Sequence, residues 1–244
     1  APAYPWLEKR GTNVLARFGY IAEGLYESEE EIKERNITQF GETYPGQLVK
    51  PGDIKYKDLN GDGHIDEYDM CKIGRGDVPK YYYGFGGDFR YKNIGVGILF
   101  QGTAGADRVM EGSGIRPFTS STGGGTLYAN ITDRWSKDDP SNDNVFYPRL
   151  AWSSADPSNI NNFQTSTWWQ KDMSFLRLKQ FTVSYYFPKA WTKKSFLSGG
   201  RFYIMGSNVL TFSKFKLWDP ELNTNNGISY PNVSSYTIGV AINL

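Results

Sequence analysis

Between positions 58 and 69 the chain reads DLNGDGHIDEYD, with oxygen-bearing groups on nearly every alternate position. Asp58, Asn60, Asp62, the His64 carbonyl, Asp66 and Asp69 fall at positions 1, 3, 5, 7, 9 and 12 of a twelve-residue loop, and Gly63 falls at position 6, where such a loop must turn sharply. An all-oxygen donor set at this spacing is the chemistry of a calcium ion, a hard cation served by carboxylates, amides and carbonyls. Asp69 stands where a longer Glu is usual, so the last ligand is expected to bind through one oxygen or through water. A solvated acidic turn is the competing reading, because Asp, Asn and Gly are ordinary turn formers. A metal here is expected to order a loop rather than to carry out chemistry.

Other reactive groups are sparse. His64 is the only histidine and lies inside that loop, so a histidine-based triad or dyad would have to use a residue committed elsewhere. Cys71 is the only cysteine, which excludes an internal disulfide and leaves no zinc cluster. No acid–base pair or nucleophile stands out, and the chain is not expected to be an enzyme. Gly123-Gly124-Gly125 has no strand–loop–helix context for phosphate and reads as a flexible tip. Trp135, Trp152, Trp168 and Trp169 could stack on sugar rings, but packing within their own long connection is the expectation for each. Ser28-Glu29-Glu30-Glu31 has capping-box spacing and predicts a short helix over 29–35 whose charges are simply solvated.

Behind these residues stands a β composition: 244 residues, 27 glycines, 17 tyrosines and 16% aromatic side chains. A formal net charge of +1 gives no basic excess for nucleic acid, and that partner class is dropped. No run of 18 apolar residues exists, so no helix is expected to cross a membrane. A mean hydropathy of -0.53 remains compatible with membrane-crossing strands, which alternate apolar and polar residues.

That alternation is clearest over 80–101. Tyr81, Tyr83, Phe85, Phe89 and Tyr91 share one face, and Ile94, Val96, Ile98 and Phe100 continue it after a two-residue turn at Lys92-Asn93, where Asn93 is expected to take the positive φ. Strands are expected at about 80–91, 94–102, 176–187, 201–213 and 235–244. In the fourth, Gly206 and Asn208 interrupt the apolar face and suggest a bulge. In the third, Arg177 and Lys179 precede Phe181, Val183, Tyr185 and Phe187 on one parity, as if the strand left an apolar layer for water.

Alternation alone does not separate a lipid-facing wall from a soluble sandwich. Length and connections favour the wall. The segment from Tyr81 to Tyr91 is 11 residues, enough for a tilted strand to cross a bilayer, aromatics gather near strand ends, and short turns alternate with long connections. Five strands cannot close such a barrel, and their open edges would be prohibitive in hydrocarbon, so the chain, which begins APAYPW without an initiator Met, is expected to be a fragment or a processed piece.

Several segments in order carry a family resemblance: PGDIKYKDLNGDGHID at 51–66, VPKYYYGF at 78–85, ILFQGTAG at 98–105, YPRL at 147–150, SFLRLKQFTVSYYFP at 174–188, GSNVLTFSKF at 206–215 and the ending SYTIGVAINL. Together they resemble the C-terminal region of SusC/RagA-type TonB-dependent outer-membrane transporters, except that the chain ends in Leu244 rather than an aromatic residue. The resemblance implies an all-β fold, the last antiparallel strands of a 22-stranded transmembrane barrel with long extracellular loops. It implies a loop region over 1–79 holding the calcium-type loop and barrel strands over 80–244. It also implies import of glycan oligosaccharides or peptides, a SusD-like surface lipoprotein as lid, a plug and the rest of the barrel, the TonB–ExbB–ExbD proteins acting through an N-terminal part, and outer-membrane lipid. The short turns would then be periplasmic and the calcium-type loop extracellular. A soluble, calcium-stabilised β-sandwich that binds carbohydrate is the alternative.

Overall fold

The structure is a computed structural model that describes residues 2–41, 48–118, 128–153, 156–193 and 196–243; the glycine run at 123–125 and Leu244 lie outside them. In chain order it forms β1 (Arg17–Gly19), β2 (Ala22–Leu25), α1 (Glu29–Arg35), β3 (Thr38–Gln39), β4 (Ile54–Tyr56), β5 (His64–Ile65) and β6 (Cys71–Ile73). The long strands β7 (Tyr81–Tyr91) and β8 (Ile94–Ala104) follow, then β9 (Asp107–Val109), α2 (Pro157–Asn162) and β10 (Gln170–Asp172). The chain continues through β11 (Phe175–Tyr186), α3 (Lys189–Thr192), β12 (Gly199–Ser213) and β13 (Ser235–Asn243). Two compact units result, one from residues 1–77, 107–171 and 224–228, the other from 78–106, 172–223 and 229–244.

The first unit is built from short strands around an aromatic core. Tyr20, Leu25, Phe40, Ile54, Tyr56, Ile65 and Trp135 are buried together, with the Tyr20 and Phe40 rings edge to face at 5.0 Å. Burial of each such side chain contributes roughly 1.5–3 kcal/mol. Helix α1 spans the residues expected, because Ser28 Oγ accepts from the Glu31 N–H at 3.2 Å and Asn36 closes the last turn at φ 48. Its charges are not merely solvated, however. Glu31 pairs with Lys55 at 2.5 Å and Arg35 with Glu23 at 2.6 Å, which ties the helix to β4 and β2.

Strand β4 pairs with β2 along one edge. Side-chain amides take the place of a strand along the other. Asn162 Oδ1 accepts from the Ile54 N–H at 2.8 Å, Asn161 donates to the Ile54 carbonyl at 3.0 Å, and Gln39 Oε1 accepts from the Tyr56 N–H at 2.8 Å. All three side chains are buried, as buried amides can be only when their hydrogen bonds are made.

The second unit is a single antiparallel sheet of five strands in the order β13-β12-β11-β8-β7. The hairpin β7–β8 pairs Tyr91 with Ile94 as expected. Its positive φ lies on Lys92, at 53°, rather than on Asn93, because Asn93 is held by β11: its Nδ2 donates to the Tyr186 carbonyl at 2.8 Å and its carbonyl accepts from the Tyr186 N–H at 2.7 Å. Glycine and tyrosine alternate across strands for a packing reason. Tyr203 lies over Gly239 on its neighbour, where an added Cβ would come within 2.5 Å of the ring.

A bulge crosses the sheet and widens as it goes. From the row of Ile98, Phe181 and Gly206 to the row of Phe100, Leu178 and Leu210, β8 advances two residues, β11 three and β12 four. The extra residue in β11 is Lys179, and it exchanges the faces of everything before it. Leu176 and Leu178 therefore join Phe181, Val183 and Tyr185 on one face, while Arg177 passes to the other. The sequence parity that suggested a strand leaving an apolar layer is a bulge within a continuous layer. In β12 the bulge holds Asn208 at φ 53, whose Nδ2 donates to the Val233 carbonyl at 3.2 Å.

Candidate functional site

The two faces of the five-stranded sheet differ in chemistry. One carries Phe85, Phe89, Val96, Ile98, Val183, Ile204, Leu210, Phe212, Ile238, Val240 and Ile242, all between 39% and 82% exposed. An apolar surface of this extent is foreign to a water-facing protein. The other carries Asp88, Arg90, Gln101, Arg177, Gln180, Thr182, Ser184, Arg201 and Thr237, by the register of the paired strands. Among the described residues no second sheet covers the apolar side chains, and nothing supports the sandwich alternative. Alternating apolar and polar faces with strands of 9 to 15 residues is the pattern of a wall between hydrocarbon and a polar lumen.

The polar face is ordered by arginines. Arg177 is 1% exposed; its Nε donates to Thr211 Oγ1 at 3.1 Å and its Nη1 pairs with Glu221 at 2.8 Å. A further bond to Asp219 completes a clamp that fixes the connection after β12 to the wall. Nearer the short turns, the Arg90 guanidinium lies 3.7 Å from the Tyr186 ring centroid, and Arg201 lies 5.9 Å from the same ring.

In the first unit the calcium-type loop is curled on itself. Asp58 accepts from the N–H groups of Gly61 at 2.6 Å and Gly63 at 2.9 Å, and both glycines have positive φ, 77° and 82°. Asn60 donates to Asp62 at 2.7 Å, and Asp62 accepts from the His64 N–H at 2.9 Å. Asp66 and Asp69 form a reciprocal cap on the 3-10 turn over 67–69. Asp69 is fully buried and also accepts from the Leu59 N–H at 2.7 Å; burial pushes its carboxyl up, against the bonds from Asp66 and Leu59. His64 and Ile65 pair in parallel with Thr38 and Gln39, which anchors the loop to the core.

The donor set is all oxygen and suits calcium. Among the described residues no three His, Cys, Asp or Glu side chains converge as a metal cluster. An ion would have to draw Asp66 and Asp69 from the N–H groups they now serve.

The tryptophans divide as packing residues and one exception. Trp135 and Trp169 are buried at 5% and 2%, and Trp168 donates to the Phe146 carbonyl at 3.1 Å. Trp152 is 67% exposed and lies 5.2 Å from Phe118, a residue that lines a cleft of 610 Å³ with Arg116, Phe163 and Gln164. Burial lowers the Arg116 pKa from its usual value, with Glu111 opposing. Sequence reasoning missed the polar cluster under β4, where Asp53 accepts from Arg149 at 3.1 Å, Ser158 at 2.8 Å and Asn162 at 2.9 Å. Its signal was the run Ser158-Asn159-Ile160-Asn161-Asn162 behind Pro157, too polar for an ordinary helix core.

A sheet with one face for hydrocarbon and one for a polar interior defines the class: a wall segment of a transmembrane β-barrel. No protein-family profile matches the chain, but individual proteins do. TonB-dependent receptor P3 of Formosa agariphila is 30% identical over 250 residues, covering 95% of this chain and 22% of that receptor. TonB-dependent receptor SusC of Bacteroides thetaiotaomicron is 23% identical over 242 residues, covering 96% and 21%. Among solved structures, the RagAB peptide importer in its open-open state superposes with a TM-score of 0.64 at 20% identity, over 94% of this chain and 22% of that one. The chain spans about a fifth of the length of these relatives, and over that stretch it matches TonB-dependent receptors, SusC among them, which are β-barrel proteins of the bacterial outer membrane.

Proposed function

We propose that the complete receptor imports a nutrient, a glycan oligosaccharide or a peptide, across the outer membrane, and that this chain supplies part of the barrel wall and its long connections. The observation that carries the reading is the five-stranded sheet with an exposed apolar face and a polar, arginine-lined one. The SusC relative and the RagAB peptide importer, whose fold this chain shares, support it. A SusD-like lipoprotein lid would close over the extracellular side, a plug would fill the lumen, and TonB, ExbB and ExbD would deliver the energy. The relatives are transporters or receptors rather than enzymes, and no catalytic role is assigned to this chain. The test is uptake of labelled oligosaccharides and oligopeptides by cells with and without the complete receptor. TonB-dependent loss of one cargo class on deletion is the expected result; unchanged uptake of both would refute import.

Calcium belongs to the same proposal. Asp58, Asn60, Asp62, the His64 carbonyl, Asp66 and Asp69 would hold the ion, which would rigidify the chain leading into β7. Exchange protection over 58–69 in the complete receptor should fall with chelator and be restored by calcium. Asp58→Ala with Asp62→Ala should abolish that response, and protection indifferent to calcium in the unsubstituted receptor would remove the ion from the account.

A further inference from the structure

We infer that the cleft lined by α2 in the first unit binds an acidic sugar unit of an oligosaccharide, with its carboxylate on Arg116 and its ring face on Phe118 and Trp152. The cleft encloses about 610 Å³. Its walls come from two stretches with almost no charge. Between Glu111 and Asp133 the sequence has Arg116 and no other charged residue, and from Pro157 to Gln170 it has none. Glu111 itself is engaged elsewhere, since its Oε1 accepts from Asn225 Nδ2 at 2.8 Å.

Arg116 is held in place without being neutralised. Its Nη2 donates to the Phe163 carbonyl at 2.7 Å, its guanidinium lies 5.2 Å from the Phe163 ring centroid, and that ring stacks on Trp169 at 5.3 Å. Among the described residues no carboxylate forms a hydrogen bond or ion pair with it, and burial lowers its pKa against the field of Glu111. A planar fork in a partly desolvated cleft is complementary to a carboxylate, which it meets through two parallel bonds.

The aromatic wall is fixed in the same way. Asn159 Nδ2 donates to the carbonyls of Ala151 at 3.0 Å and Ser153 at 2.7 Å, on either side of Trp152. The indole stays 67% exposed, 5.2 Å from the Phe118 ring. Rings beside a few placed polar groups suit the C–H face and hydroxyls of a pyranose, and Ser113, Gln164 and Thr165 line the same cleft. An oligopeptide fits less well, because it brings an ammonium terminus and the described lining has no Asp or Glu to receive it. That such a ligand is cargo rests on import by the complete receptor, as proposed above.

The complete receptor in mild detergent is titrated in a calorimeter with tetragalacturonate, with the same tetramer as its neutral methyl ester, and with tetraglutamate. The acid should bind about tenfold or more tightly than the ester, as a charge-assisted pair requires, and more tightly than the peptide. Arg116→Gln should abolish the preference for the acid while ester binding persists; exchange protection over β2 and β4 checks that the first unit has folded. Trp152→Ala, at an exposed position, should weaken acid and ester alike, by about fivefold. No binding of the acid, equal binding of acid and ester, tighter binding of tetraglutamate, a preference unchanged in Arg116→Gln, or indifference to Trp152→Ala would each overturn the site. Uptake of the acid by cells with and without the receptor is measured alongside. Binding with no receptor-dependent uptake would refute import and keep the site, whereas uptake without the preference would refute the site and keep import.

Discussion

Ile54 in β4 and Ile204 in β12 are the same residue in the same kind of strand, yet Ile54 is fully buried and Ile204 is 48% exposed. The first unit solves its folding problem as water-soluble proteins do, with aromatic rings packed on one another and the buried amides of Gln39, Asn161 and Asn162 hydrogen-bonded beneath them. The second leaves its isoleucines and phenylalanines on an open face and turns its arginines the other way. Burial is defined by the solvent, and the sheet's solvent on that side is lipid. Side-chain replacements should therefore cost different amounts in the two units for reasons of environment rather than residue type.

The sharpest break of that comparison is the removal of a ring from each unit. Tyr56 is fully buried, within 5.5 Å of both the Tyr20 and Phe40 ring centroids, so Tyr56→Ala should cost about 3–5 kcal/mol. Phe89→Ala should cost less than about 1 kcal/mol, because lipid tails refill the space. Hydrogen exchange over β2 and β4 for the first, and urea-driven unfolding from vesicles for the second, would read the two. Equal costs would mean that both rings face the same medium.

Charge gives the next largest contrast. Ile98 lies mid-strand on the apolar face and Thr182 nearby on the polar face. Ile98→Arg should cost about 2–4 kcal/mol of stability in vesicles, and Thr182→Arg little. If Thr182→Arg is the costlier, the lumen and lipid sides have been exchanged. The smallest effect probes the amides that stand in for a strand beside β4. Asn162→Ala leaves the Ile54 N–H without its acceptor and should cost about 1–3 kcal/mol, seen as faster exchange at Ile54 with the sheet of the second unit unaffected.

Much of the wall was legible before any coordinates. The hairpin from Tyr81 to Ala104 follows from period-two alternation and a two-residue turn, both local properties. Helix α1 follows from Ser28 and Glu31. Three features were not legible. The bulge at Lys179 shows in the parity only as a change of character, and one inserted residue reverses the faces just as a strand leaving an apolar layer would. The turn's positive φ went to Lys92 because Asn93 is claimed by Tyr186, a residue 93 positions away. The role of Asn161 depends on Ile54, 107 positions away, and nothing in either neighbourhood announces the pair.

The division follows the range of the forces. Alternation, capping and the spacing of oxygen donors over 58–69 depend on neighbours within a turn or a strand, and they were written in the order of residues. Which face Arg177 occupies, which strand edge the asparagines complete, and whether an exposed isoleucine meets water or hydrocarbon depend on partners distant in the chain. Only the assembled sheet and core bring those partners together.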